Sequence, residues 1–166
     1  DIPNTVASAV KSVGVLPIQM LTIHASGGAE MIKAALESAK QVNENLEILA
    51  VTVLTSFDDE GLAKTGVALN PEKQVQLLAK LAVENGVKGL VCSPKEISVL
   101  RKILPENIDL ITPGIRPKGS SADEQKRITT PADAANMGSS YIVVGRPILK
   151  AENPAAAALD IIKEIS

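Results

Sequence analysis

The sequence predicts an α/β protein built on a parallel sheet, and three observations carry that prediction. Five short apolar runs alternate with longer segments of helical periodicity, as in repeated strand-helix units. The runs are rich in β-branched residues and leucine and alternate little, as strands covered on both faces do. Four helical segments open on a cap residue followed by proline, which suits the unpaired amides of a first helical turn.

The first strand is expected over Ile18–His24. After Gly27-Gly28, a helix is expected over Ala29–Val42, where Met31, Ala35, Leu36 and Ala39 recur on one face. The second strand is expected over Ile48–Thr55, followed by a short helix at Asp58–Lys64 whose acidic start compensates the helix dipole. Asn70-Pro71 opens a helix that closes at Asn85-Gly86. The third strand, Gly89–Cys92, leads into a helix opened by Ser93-Pro94 and bounded by Pro105. The fourth, Leu110–Thr112, is followed by a long segment, Gly114–Lys126, and a helix from Thr130-Pro131 to Gly138. The fifth, Tyr141–Val144, precedes a last helix opened by Asn153-Pro154 and running through Ala155–Ile165. No repeat, low-complexity tract or linker interrupts the chain, so residues 1–166 read as one domain.

A (β/α)₈ barrel takes about 250 residues, or roughly 31 per strand-helix unit. The 166 residues therefore correspond to five units of such a barrel, or else to a flavodoxin-like open sheet of five strands. Residue patterns alone leave both architectures standing.

Composition narrows the function. With 45% hydrophobic and 22% charged residues the chain has material for a sizeable core. A net charge of −2 without a basic run argues against nucleic acid as a partner. One Phe, one Tyr and no Trp leave few platforms for stacking bases. No apolar stretch approaches the ~18 residues of a membrane span, and no leader marks the chain for secretion, so a cytoplasmic location is expected. The single Cys92 excludes an internal disulfide framework and a cysteine-based zinc cluster.

Parallel sheets bind ligands at the carboxyl ends of their strands. Here those ends read His24-Ala25-Ser26-Gly27-Gly28, Thr55-Ser56, Cys92-Ser93, Thr112-Pro113-Gly114 and Gly145-Arg146-Pro147. The last two suit phosphate. Gly145 lets the backbone approach an anion, and Arg146 supplies a two-pronged donor. The Gly114–Lys126 segment adds Arg116, Lys118 and Gln125, enough donors to close over the group. His24, the only histidine, has no partner in sequence and reads as structural; Cys92 reads as a small core residue. No Ser–His–Asp order, Walker loop, dinucleotide-binding glycine pattern or metal-ligand spacing is present.

One resemblance goes further. Asp1-Ile2-Pro3-Asn4-Thr5 resembles the end of the Asp-x-Lys-x-x-Asp-Ile-Pro-Asn-Thr motif of the orotidine 5′-phosphate decarboxylase family. His24-Ala25-Ser26-Gly27-Gly28, Ala50-Val51-Thr52-Val53-Leu54-Thr55-Ser56, Thr112-Pro113-Gly114-Ile115-Arg116-Pro117, Asp123-Glu124-Gln125 and Val144-Gly145-Arg146-Pro147 resemble later segments of bacterial members, in order. The resemblance implies a (β/α)₈ TIM barrel, of which this chain covers about the last five strand-helix units. It also implies a homodimer with shared active sites, conversion of orotidine 5′-phosphate to uridine 5′-phosphate, and no cofactor or metal.

Carried over, Asp1 is the catalytic carboxylate that crosses into the neighbouring subunit's site, with Ile2 and Thr5 lining that boundary. Thr55 bonds the pyrimidine, Pro113 lies against the ring, and Gln125, Gly145 and Arg146 hold the phosphate. The family's lysine lies three positions before Asp1 and its partner aspartate two further back; neither is in this chain. The first strands are therefore expected upstream of Asp1, in roughly 60–95 further residues. Two other readings stand beside this one: a metal-dependent sugar-phosphate decarboxylase or aldolase of the same superfamily, and an inactive phosphate-binding fragment.

Overall fold

Five parallel strands pair in chain order: β1 (Met20–His24), β2 (Glu47–Val51), β3 (Gly89–Val91), β4 (Asp109–Thr112) and β5 (Tyr141–Ile142). The computed structural model describes residues 1–117 and 129–165. Strand order separates the two architectures. A flavodoxin-like sheet runs 2-1-3-4-5, with helices on both faces. In a sequential order, right-handed crossovers put every helix on the same face and leave the other to line a barrel interior. The chain therefore forms five units of a (β/α) barrel wall, and the flavodoxin-like alternative is excluded.

Register shows how the two faces differ. Ile23, Ala50, Leu90 and Leu110 share one row across the sheet and are all buried in the helix-covered core. Thr22, Leu49, Gly89 and Asp109 form an adjacent row on the inner face. There Gly89 matters for its missing side chain. A Cβ on it would collide with Leu49 Cδ2 and lie 3.3 Å from Ile111 Cδ1. Leu49 and Ile111, each 4% exposed, close over β3 in that space.

The helices are α1 (Pro3–Gly14), α2 (Ala29–Val42), α3 (Asp59–Ala63), α4 (Pro71–Glu84), α5 (Ile97–Ile103), α6 (Pro131–Met137), α7 (Arg146–Leu149) and α8 (Pro154–Ile165). The cap residues work as their chemistry requires. Asp58 Oδ1 accepts from Gly61 N at 2.9 Å, and Asn70 Oδ1 from Lys73 N at 3.0 Å. Thr130 Oγ1 accepts from Asp133 N and Asn153 Oδ1 from Ala156 N, both at 3.1 Å. Each such cap contributes about 1 kcal/mol. At Ser93 the cap is reversed: its backbone N–H donates to Glu96 Oε2 at 2.8 Å, and a 3₁₀ turn over Pro94–Glu96 precedes α5.

Strands β1 and β5 are shorter than the sequence-based expectation and α7 is not among the expected elements, but two larger departures have a physical reason. Helix α1 is not among the expected elements, because Thr5, Val6, Val10 and Val13 are poor helix formers. Packing decides the matter. Val10 and Gly14 are buried, and a Cβ on Gly14 would collide with Val42 Cγ2 of α2, so the two helices meet closely. The second strand ends at Val51 rather than Thr55. Thr52 still donates to Val91 O through both its N–H and its hydroxyl, at 3.1 and 3.0 Å. Val53 then stays in the core while its backbone leaves the ladder. The apolar run measured burial, not strand pairing.

Candidate active site

The polar strand endings gather on one rim. His24 ends β1, Thr112 ends β4, and Gly145 follows β5. Asp1 joins them, because α1 starts at this rim before β1 begins at the opposite pole. Asp1 and His24 line one recess of about 470 Å³, with Ser26 and Gly27 beside them. Ile2 caps α1 in an extended conformation and is 61% exposed, and Thr5 is exposed in the first turn. Thr55 is half-buried in a turn after β2, where Phe57 N bonds Leu54 O at 3.0 Å.

Hydroxyls fix the β4 ending. Thr112 is fully buried, and its Oγ1 lies 2.7 Å from Ser139 Oγ, which also reaches Tyr141 O at 2.7 Å. Leu110 N donates to Ser140 Oγ at 3.1 Å, and Arg101 donates to the carbonyls of Ile108 (2.6 Å) and Gly138 (3.0 Å). Pro113 therefore leaves a strand end held from both sides. Gly114 then turns the chain with φ +80°, a conformation that disfavours any side chain. Beyond it Ile115 bridges to Thr129, and Arg116 N bonds Thr129 O at 3.0 Å. Gln125 and Lys118 lie outside the described residues.

Arg116 is more informative in the structure than in the sequence. Its guanidinium is buried at 5% exposure, Nη1 donates to Ile115 O at 2.8 Å, and Nε has no partner among the described residues. A buried cationic donor left unused is costly unless a ligand takes it. At β5, Gly145 is exposed and caps α7, its carbonyl accepting from Ile148 N and Leu149 N. A Cβ on Gly145 would meet nothing within 4 Å, so an open approach, not crowding, distinguishes this glycine. Arg146 is half-buried at the start of α7.

Pro113, Gly145 and Arg146 thus share the β4–β5 edge, whereas Asp1 sits at the β1 edge, three to four strands away along the barrel wall. Cys92 is fully buried, and its thiol is pushed up to about 12 by burial first and by Glu96 second, with Arg101 pulling the other way. It is a core residue, as expected. Among the described residues no three His, Cys, Asp or Glu side chains gather to hold a metal ion.

The family model described as "Orotidine 5′-phosphate decarboxylase / HUMPS family" matches residues 1–161. The chain belongs to that family. Orotidine 5′-phosphate decarboxylase of Opitutus terrae is 52% identical over 165 residues, covering 99% of this chain and 72% of that protein. Its counterpart in Gluconobacter oxydans is 51% identical over 170 residues, covering 100% and 72%. Among solved structures, the orotidine 5′-phosphate decarboxylase of Lactobacillus acidophilus superposes with a TM-score of 0.85 at 40% identity, over all of this chain and 71% of that one. An uncharacterized conserved protein from Geobacillus kaustophilus gives 0.82 at 29% identity, over 100% and 72%. Membership in the decarboxylase family accounts for the sequential sheet as barrel wall.

Proposed function

We propose that this protein converts orotidine 5′-phosphate to uridine 5′-phosphate and carbon dioxide, without a cofactor, in pyrimidine nucleotide synthesis. The observation that carries the proposal is agreement at about half of all positions, along the whole chain, with relatives named for that activity. The geometry supports it: the β4 ending, Gly145 and Arg146 share one rim edge, where a phosphate meets backbone amides and guanidinium donors. Arg116, with its unused Nε, joins this group.

Loss of carbon dioxide leaves negative charge on a ring carbon with no cofactor to delocalise it. A lysine ammonium beside that carbon stabilises the charge and then donates the proton. In the family's motif that lysine stands three positions ahead of Asp1, outside these 166 residues. Asp1 supplies its carboxylate to the charged array of a second subunit, bordered by Ile2 and Thr5. Thr55 bonds the pyrimidine, Pro113 packs on it, and Gln125, Gly145 and Arg146 hold the phosphate. Binding energy from that remote group orders the site around the reacting carbon. Homodimerisation and a cytoplasmic location belong to the same proposal. Among the described residues no helix is long and apolar enough to cross a membrane.

The test compares Arg146→Ala on orotidine 5′-phosphate and on a phosphate-free analogue, in full-length protein. The change should lower kcat/KM for the true substrate by about 10²-fold, the scale of one lost charge-assisted contact, and leave the analogue nearly untouched. Equal losses on both substrates would refute the phosphate assignment.

A further inference from the structure

His24 has no role in the chemistry above, yet it ends β1 on the inner face of the rim, in register with Val51. Its ring is exposed, and neither nitrogen has a hydrogen-bond partner among the described residues. The recess it shares with Asp1 has a neighbour of about 210 Å³ on its other side, lined by His24, Ser26, Thr52, Val53 and Leu54. Among the described residues that line the two recesses, Asp1 carries the only charged side chain. An imidazole with free donors and a lone carboxylate therefore face the same small volume, walled by Val6, Ile23 and Met31. Apolar walls strengthen a contact between a ring N–H and a carboxylate, because water competes less for either group.

We infer that His24 is the positioning residue for Asp1: when the second subunit docks, a ring N–H comes to donate to the carboxylate across the recess they share and fixes the direction in which it is presented. This rests on the role proposed for Asp1 above. In this role His24 acts through Asp1 and not on the substrate.

The experiment is a double-mutant cycle in full-length protein with Asp1→Asn, His24→Ala, His24→Gln and the combined changes. His24→Ala should lower kcat roughly tenfold, the scale of one hydrogen bond to a charged group, with KM little changed. His24→Gln, which keeps a side-chain N–H donor, should recover much of that loss. In an Asp1→Asn background, His24→Ala should cost nothing further. Fully additive losses, or equal losses for Ala and Gln, would overturn the inference. A second readout needs no turnover. The ring ¹⁵N resonances of His24, the only histidine of these 166 residues, are assigned by their loss in His24→Gln, and Asp1→Asn should shift them at a pH where the ring is neutral. Unmoved resonances would overturn the contact itself. If they shift while even unmodified protein releases no carbon dioxide, the proposed function fails and the contact stands.

Discussion

The hydroxyls of Thr112 and Ser139 meet at 2.7 Å, one residue before the chain leaves β4 for Pro113 and Gly114. Ser139 also reaches the carbonyls of Leu110 and Tyr141, so one side chain ties the ends of β4 and β5 together. Ser139→Ala leaves the buried Thr112 hydroxyl with only a 3.4 Å contact to Tyr141 O. The change should lower unfolding stability by about 1–2 kcal/mol and raise KM for the phosphorylated substrate more than it lowers kcat. Urea denaturation and steady-state kinetics on the same preparation measure both effects.

Glu47 sets an acid-side prediction. Burial first, and the Asp109 carboxylate second, raise its pKa above the ordinary carboxylate value, while Lys88 pulls it down. A carboxyl whose pKa rises on folding supports the fold while protonated. That support is complete below the unfolded-state value and is lost as pH climbs through the folded-state value. At neutral pH the charged Glu47 is therefore a cost. Glu47→Gln should raise the Tm at pH 7 by about 1–3 °C, kept small by partial solvent exposure. The gap should close as the pH falls toward about 4. Thermal scans across that range test the sign.

Gly89→Ala places a methyl group against Leu49 Cδ2, 3.2 Å from Glu47 Oε1 and 3.3 Å from Ile111 Cδ1. These atoms belong to the two strands that flank β3, and Leu49 and Ile111 are themselves buried, so the methyl group disturbs the inner layer. The substitution should destabilise the protein by about 1–3 kcal/mol. The Gly145→Ala control, with nothing within 4 Å of its Cβ, should barely move the denaturation midpoint.

The Cys92 thiol is fully enclosed and pushed up to about 12. It should stay inert to a thiol-specific disulfide reagent at pH 8 in native protein and react at once in denaturant. Rapid modification of the folded protein would contradict the burial described here.

The local pattern of this fold was legible where chemistry acts over a few residues. The bounds of α2 match their expected positions, and the Asn70, Thr130 and Asn153 caps form the bonds their side chains imply. What escaped depends on partners distant in the chain. Helix α1 contradicts its residues' propensity and forms because Gly14 lets it lie against Val42. Strand order, which separates the barrel wall from an open sheet, follows from pairing between strands and leaves no mark on any one of them. Asp1 and His24 come to line one recess only once α1 has folded back along β1. Arg116 was one basic residue among several in a loop until burial distinguished it.

The sequential strand order has a consequence for synthesis. Each strand of the sheet docks on the one made just before it, so every pairing becomes available as the chain emerges from the ribosome. Assembly can keep pace with translation, at about 5–20 residues per second. Among these five strands no pairing waits for a distant segment, and closure of the barrel is the step that needs its two ends.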